Sequence, residues 1–82
     1  MSPPQHKKDE FDLARYRIRL SAAINTVPIY RLTAITKISR NTLTKYKHLQ
    51  SSPDMRKLCL IAEATNISVH WILFGNGNNA RS

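Results

Sequence analysis

The sequence predicts an all-α domain of five short helices. Three observations carry that reading. Apolar residues recur at three- and four-residue spacing, and no stretch alternates with the two-residue period of a strand. Helix start and stop residues divide the chain at Pro28, Ser39, Ser52-Pro53, Ser68 and Gly75. Eighty-two residues at 41% hydrophobic support one domain with a small core, and no internal repeat interrupts it.

Residues 1–8 are polar, basic and proline-containing, and read as a flexible arm. The first helix is expected over Asp9 to about Asn25, with Asp9, Glu10 and Asp12 in its first turn, where the helix dipole favours acids. Phe11, Ala14 and Ile18 recur at helical spacing, and Leu13, Leu20 and Ile24 widen that apolar face. Arg15, Arg17 and Arg19 lie largely on the other faces and read as solvated surface. Asn25-Thr-Val-Pro28 ends this helix, and Pro28 suits the first turn of a second that runs to Thr36. Ser39 has the hydroxyl needed to cap a third helix, over about residues 39–49. Gln50-Ser-Ser-Pro-Asp54 is a loop ending in a start signal, with Ser52 as N-cap, Pro53 as first helical residue and Asp54 in the first turn. Met55, Leu58, Cys59 and Ala62, with Ile61 and Thr65 alongside, give the fourth helix its expected buried face. Asn66 suits a left-handed C-cap. Ser68 caps a fifth helix through Val69, Trp71, Ile72 and Phe74, which Gly75 stops, and residues 76–82 read as a flexible tail. The domain proper is expected over residues 9–75.

The formal net charge is +8, and residues 31–57 carry seven Lys/Arg against Asp54 alone. A pI near 10.3 favours a polyanionic partner. Cys59 is the only cysteine, which excludes an intrachain disulfide and suits a reducing cytoplasm, with the thiol expected to be packed and inert. No apolar run approaches the roughly 20 residues that span a bilayer, and the N-terminus lacks the apolar segment of a secretory signal. His6, His48, His70 and Cys59 show no metal-ligand spacing, and no catalytic dyad, phosphate loop or carboxylate pair occurs. The expectation is therefore a non-enzymatic protein with neither metal nor cofactor.

The third helix concentrates the functional signal. At 100° per residue, Leu43 and Tyr46 point inward, while Asn41, Thr44, Lys45 and His48 point the opposite way. Arg40 sits at the exposed first turn. Arginine can bond both guanine acceptors at once, asparagine can pair with the adenine donor and acceptor, and threonine can add a hydrogen bond or a methyl contact. This is a side-chain set suited to a DNA major groove. Trp71 reads as core. Phe74 is rotated from Ile72 by two residues, about 200°, so the two cannot face the same core. An exposed Phe74 would suit a self-association patch, with core packing as the alternative.

Two stretches resemble the lambda-repressor-like (XRE/Cro/CI-type) helix-turn-helix family, in particular phage repressor N-terminal domains. Leu32-Thr-Ala-Ile-Thr-Lys-Ile-Ser-Arg-Asn-Thr-Leu-Thr-Lys-Tyr46 is similar to the family's two-helix motif. Leu58-Cys-Leu-Ile-Ala-Glu-Ala-Thr-Asn-Ile-Ser-Val-His-Trp-Ile-Leu-Phe-Gly-Asn-Gly77 resembles its fourth and fifth helices, where an I-A-x-A segment leads to a V-S-x-x-W-L-L-x-G-x-G ending. The resemblance covers about residues 11–77. It implies a five-helix lambda-repressor-like DNA-binding domain with the helix-turn-helix formed by helices 2 and 3. Carried over by position, it implies base contacts from Ser39, Arg40, Asn41, Thr44 and Lys45, and phosphate contacts from Lys37, Lys47 and His48. The chain departs from the family pattern at three places. Lys37 stands where the family often has a turn glycine, and Ile29 replaces the polar residue that begins the second helix. Lys47 occupies the position of a glutamate that pairs with a first-helix arginine, and the aligned first-helix position is near Ala22.

The implied function is a sequence-specific regulator of phage or prophage repressor type in the bacterial cytoplasm. It would bind a palindromic double-stranded DNA operator as a homodimer, with Phe74 as the expected dimerisation contact and no membrane partner. The alternative is a protein-binding module, such as an antitoxin that masks a toxin and autoregulates its operon. A protein partner in either case would be an antirepressor or a toxin.

Overall fold

The computed structural model describes residues 11–75. The arm at 1–8 and the tail at 76–82 lie outside the described residues, as do Asp9 and Glu10. Five α-helices follow in chain order: α1 (Leu13–Ile24), α2 (Ile29–Thr36), α3 (Arg40–Lys47), α4 (Met55–Thr65) and α5 (Val69–Phe74). No strand occurs among the described residues. Among the described residues, no helix is long and apolar enough to cross a membrane.

Each helix is delimited by local hydrogen bonding. Asp12 is the N-cap of α1, its carboxylate accepting the Arg15 amide at 3.2 Å, so it precedes the helix and does not occupy its first turn. Pro28 likewise sits one position outside α2, as its N-cap. Ser39 caps α3 as expected, its hydroxyl accepting the Thr42 amide at 3.1 Å. At α4 the expectation of a Ser52 cap is corrected. Asp54 caps the helix by accepting the Lys57 amide at 2.8 Å, and α4 begins at Met55. A carboxylate is the stronger acceptor for a helix N-terminus, and the Ser52 hydroxyl is engaged elsewhere, accepting from Arg17 Nε at 3.2 Å. Ser68 caps α5, and Asn66 (φ 63°) and Gly75 (φ 68°) close α4 and α5 in left-handed geometry.

The core draws on all five helices. Leu20 and Ile24 of α1, Leu32 of α2, Leu43 of α3, Ile61 of α4 and Ile72 of α5 are fully buried. Helix α1 packs on α3, α4 and α5, while α2 packs on α3 and α4. The inward face of α1 is Tyr16, Leu20, Ala23 and Ile24. Leu20 and Ile24 are buried as expected, but Tyr16 and Ala23 take the inward positions expected for Phe11, Leu13, Ala14 and Ile18. Phe11 is 47% and Ile18 57% exposed, and Ala14 and Leu13 are exposed as well. The first helix is apolar on two sides, and partners far along the chain choose between them. On α4, Leu58, Ile61 and Ala62 are buried, whereas Met55 and Cys59 are exposed. Cys59 follows Leu58 by 100° of rotation, which carries its thiol off the inward face. Trp71 is half-buried and packs against the core edge.

Arg19 also departs from expectation. It is not a solvated arginine: its Nε donates to the Ile72 carbonyl at 3.0 Å and its Nη2 to the Leu73 carbonyl at 2.8 Å. These are end-of-helix carbonyls of α5, where a cation is favoured by the dipole.

Tyr16 and Tyr46 are buried. Burial raises both phenols above the usual tyrosine pKa; the neighbouring Tyr46 adds to the effect at Tyr16, and Asp54 adds to it at Tyr46. The folded state therefore holds these protons more tightly than the unfolded chain does. Their contribution to stability is complete below about pH 10, the unfolded value, and is lost as pH rises through the higher folded values. Urea unfolding across that range should show a falling midpoint, and Tyr46→Phe should reduce the fall relative to wild type. An equal fall in both proteins would exclude Tyr46 as its source.

Candidate nucleic-acid interface

The chemistry that anchors α3 also determines what it displays. Leu43 and Tyr46 are buried on its inner side, and Ile38 (5% exposed) fills the turn before it. The Ser21 hydroxyl donates to the Lys47 carbonyl at 2.7 Å, tying the last turn of α3 to α1. With one side fixed in this way, Arg40, Asn41, Lys45 and His48 are exposed and Thr44 is half-buried. Arg40 and Asn41 begin the helix, so the first turn carries a guanidinium and an amide next to each other. Lys45 and Lys47 lie in the last turn, where the negative end of the dipole favours cations.

The expected residues are placed unequally. Ser39 is exposed, but its hydroxyl already accepts from the Thr42 amide and donates to Thr42 Oγ1 at 2.9 Å. A base contact there would have to use its remaining lone pair or exchange the donated bond. Lys47 is half-buried and lines a cleft with Asn25, Thr26, Pro28 and Ile29 at the start of α2. The start of α2, whose free amides favour anions, borders the same cleft. His48 is the C-cap of α3.

The turn between α2 and α3 runs through Lys37, which takes the left-handed conformation (φ 65°) with its amide donating to the Thr33 carbonyl at 2.9 Å. A residue with a Cβ pays about 1–2 kcal/mol in this geometry. The Thr36 hydroxyl stabilises the same turn from inside, donating to the Leu32 carbonyl at 2.7 Å and accepting from the Ile38 amide at 3.1 Å. Lys37 is consequently held exposed at the head of α3.

The surface is electrostatically one-sided. Asp54, the one acid within residues 31–57, is occupied with the Lys57 amide. Among the described residues, no carboxylate forms an ion pair with Lys37, Arg40, Lys45 or Lys47. These cations are thus available to an external anion.

Phe74 is half-buried and packs at 5.1 Å between ring centroids on His70, one turn earlier in α5. It stands apart from the core cluster that receives Ile72. Sequence reasoning missed three features near the interface: the exposure of Tyr30 (73%) and Ile35 on α2, and the left-handed Leu49 after α3. Helical spacing could have flagged Tyr30, which lies two residues from the inward Leu32. No sequence signal marks Leu49.

No family model, curated protein or solved structure matches this chain.

Proposed function

We propose that the protein is a sequence-specific duplex-DNA-binding transcriptional regulator with a lambda-repressor-like domain, in which α2 and α3 form the helix-turn-helix. It acts in the cytoplasm as a homodimer on a palindromic operator, as a phage or prophage repressor does. The observation that carries this reading is the outer face of α3, where Arg40, Asn41, Thr44, Lys45 and His48 are set on a buried Leu43–Tyr46 base with Lys37 and Lys47 at its two ends. Arg40, Asn41, Thr44 and Lys45 supply base readout, with Ser39 primarily capping the helix. Lys37, Lys47 and His48 supply phosphate contacts. One eight-residue helix reads too few bases for genomic specificity, and a symmetric pair of half-sites supplies the remainder. Phe74, half-buried outside the core, is the proposed dimer contact.

Selection of bound duplexes from a random library, followed by titration of the best sequence at several salt concentrations, tests this function. With about three or four phosphates neutralised per subunit, the log–log salt slope should be roughly −5 to −7. A slope near zero, or equal affinity for dextran sulfate and the selected duplex, excludes it.

The exposed apolar residues favour a second reading. Phe11, Ala14 and Ile18 on one side of the chain start, with Tyr30 and Ile35 on α2, offer surface to a protein partner such as a toxin or an antirepressor. This reading gains if the library yields no enriched duplex while the chain co-purifies stoichiometrically with the product of a neighbouring gene.

A further inference from the structure

Among the described residues, three other than glycine adopt left-handed backbone geometry: Lys37 (φ 65°), Leu49 (φ 63°) and Asn66 (φ 63°). Asparagine tolerates this conformation well because its short polar side chain bonds locally. Lys37 and Leu49 do not have that compensation, and they bracket α3.

At Leu49 the backbone forms a complete helix stop. The Gln50 amide donates to the Lys45 carbonyl at 2.8 Å and the Leu49 amide to the Tyr46 carbonyl at 3.1 Å. Glycine is the usual residue at the left-handed position of this pair of bonds, since it carries no Cβ penalty. The turn itself therefore does not call for leucine. Core packing does not call for it either. Leu49 is 41% exposed and is not one of the buried core residues. A bulky apolar side chain is held in a strained conformation directly after His48, with about two-fifths of its surface exposed. Backbone strain of this kind clusters where a side chain meets a ligand.

We propose that Leu49 is a specificity-determining residue whose side chain contacts the C5-methyl group of a thymine at the edge of the sequence that α3 reads. This rests on the DNA-binding function proposed above. Arg40, Asn41 and Lys45 offer polar groups suited to guanine and adenine. The thymine methyl is the apolar feature of the major groove, and an exposed leucine at the end of α3 is the complementary apolar group.

The test uses the full chain and the duplex selected from the random library. Each thymine is replaced in turn by deoxyuridine, which lacks the C5-methyl. Wild type should lose about fourfold in affinity per half-site at one position, the equivalent of one buried methyl-sized contact. Leu49→Gly and Leu49→Asn, both compatible with left-handed geometry, should bind the thymine and deoxyuridine duplexes equally at that position. Leu49→Gly should also melt at a higher temperature than wild type, because the strain is relieved. Identical deoxyuridine profiles for wild type and Leu49→Gly overturn the contact while leaving DNA recognition by α3 intact. A lower melting temperature for Leu49→Gly assigns the side chain to packing and overturns it as well. Failure of the library to yield any enriched duplex removes the DNA-binding function itself, a separate result.

Discussion

Arg40→Ala and Asn41→Ala are each expected to cost about 1–3 kcal/mol on the preferred duplex and to relax base preference at one position. Both side chains are exposed in the first turn of α3, and the helix beneath them is fixed at its start by the Ser39 cap and along its inner side by Leu43 and Tyr46. A base contact made from such a support disappears when the polar group is removed, because no flexible neighbour can replace it. Lys37→Ala and Lys47→Ala should behave differently. An ammonium opposite a phosphate is insensitive to base identity, so both changes should weaken all duplexes by similar factors. Each should also make the salt slope shallower by about one for every phosphate no longer neutralised. Fluorescence anisotropy on preferred and scrambled duplexes across a salt series separates the two classes. If the lysine changes shift base preference and the Arg40 and Asn41 changes leave it intact, α3 does not face the bases in this orientation.

The features read correctly from the sequence share a property: their determinants lie within one helical turn. Ser39, Asn66, Ser68 and Gly75 each end or begin a helix through bonds to residues three or four positions away. The outward set on α3 follows from the same short-range geometry, with Leu43 and Tyr46 fixing the inward direction. The larger errors depended on distant partners. The first helix has apolar residues on two sides, and the side holding Tyr16 is selected by α3, α4 and α5, with Tyr46 next to Tyr16. Phe11 remains outside, packing at 5.5 Å between centroids on the Tyr16 ring. Two acceptors, Ser52 and Asp54, compete for the start of α4, and Arg17, 35 residues earlier in the chain, engages the first of them. Rotation relative to Ile72 sets Phe74 off the core cluster, and the His70 ring one turn earlier, at i−4, packs on it.

Arg19→Ala is expected to destabilise the domain by about 1.5–3 kcal/mol, the range for hydrogen bonds made by a charged group. Helix α5 has six residues, well below the length at which a helix is stable alone. Its last carbonyls are satisfied by the guanidinium at 3.0 and 2.8 Å, 53 and 54 residues away in sequence, so loss of Arg19 leaves them unpaired and unties α5 from α1. Burial, with Arg15 nearby, lowers the Arg19 pKa from the usual arginine value, in keeping with a charged group drawn against the protein surface. Gly75 makes the arrangement possible. A Cβ there would lie 2.6 Å from Arg19 Nη1, and φ is +68°, so Gly75→Ala combines a left-handed penalty of about 1–2 kcal/mol with displacement of the guanidinium. The two substitutions should therefore be non-additive. Once Arg19→Ala has removed the guanidinium, which supplies the three atoms nearest to that methyl, this clash is gone and the backbone penalty remains, so the double variant should lose less than the sum of the single losses. Arg19→Lys should fall between wild type and Arg19→Ala, because a single ammonium keeps the charge but cannot span both carbonyls as the fork does. Urea unfolding of the four proteins in the double-mutant cycle, with Arg19→Lys alongside, measures these quantities. Strict additivity, or an Arg19→Ala midpoint equal to wild type, would mean that α5 is held by Ile72 and Leu73 packing alone and that the guanidinium contributes nothing to its attachment.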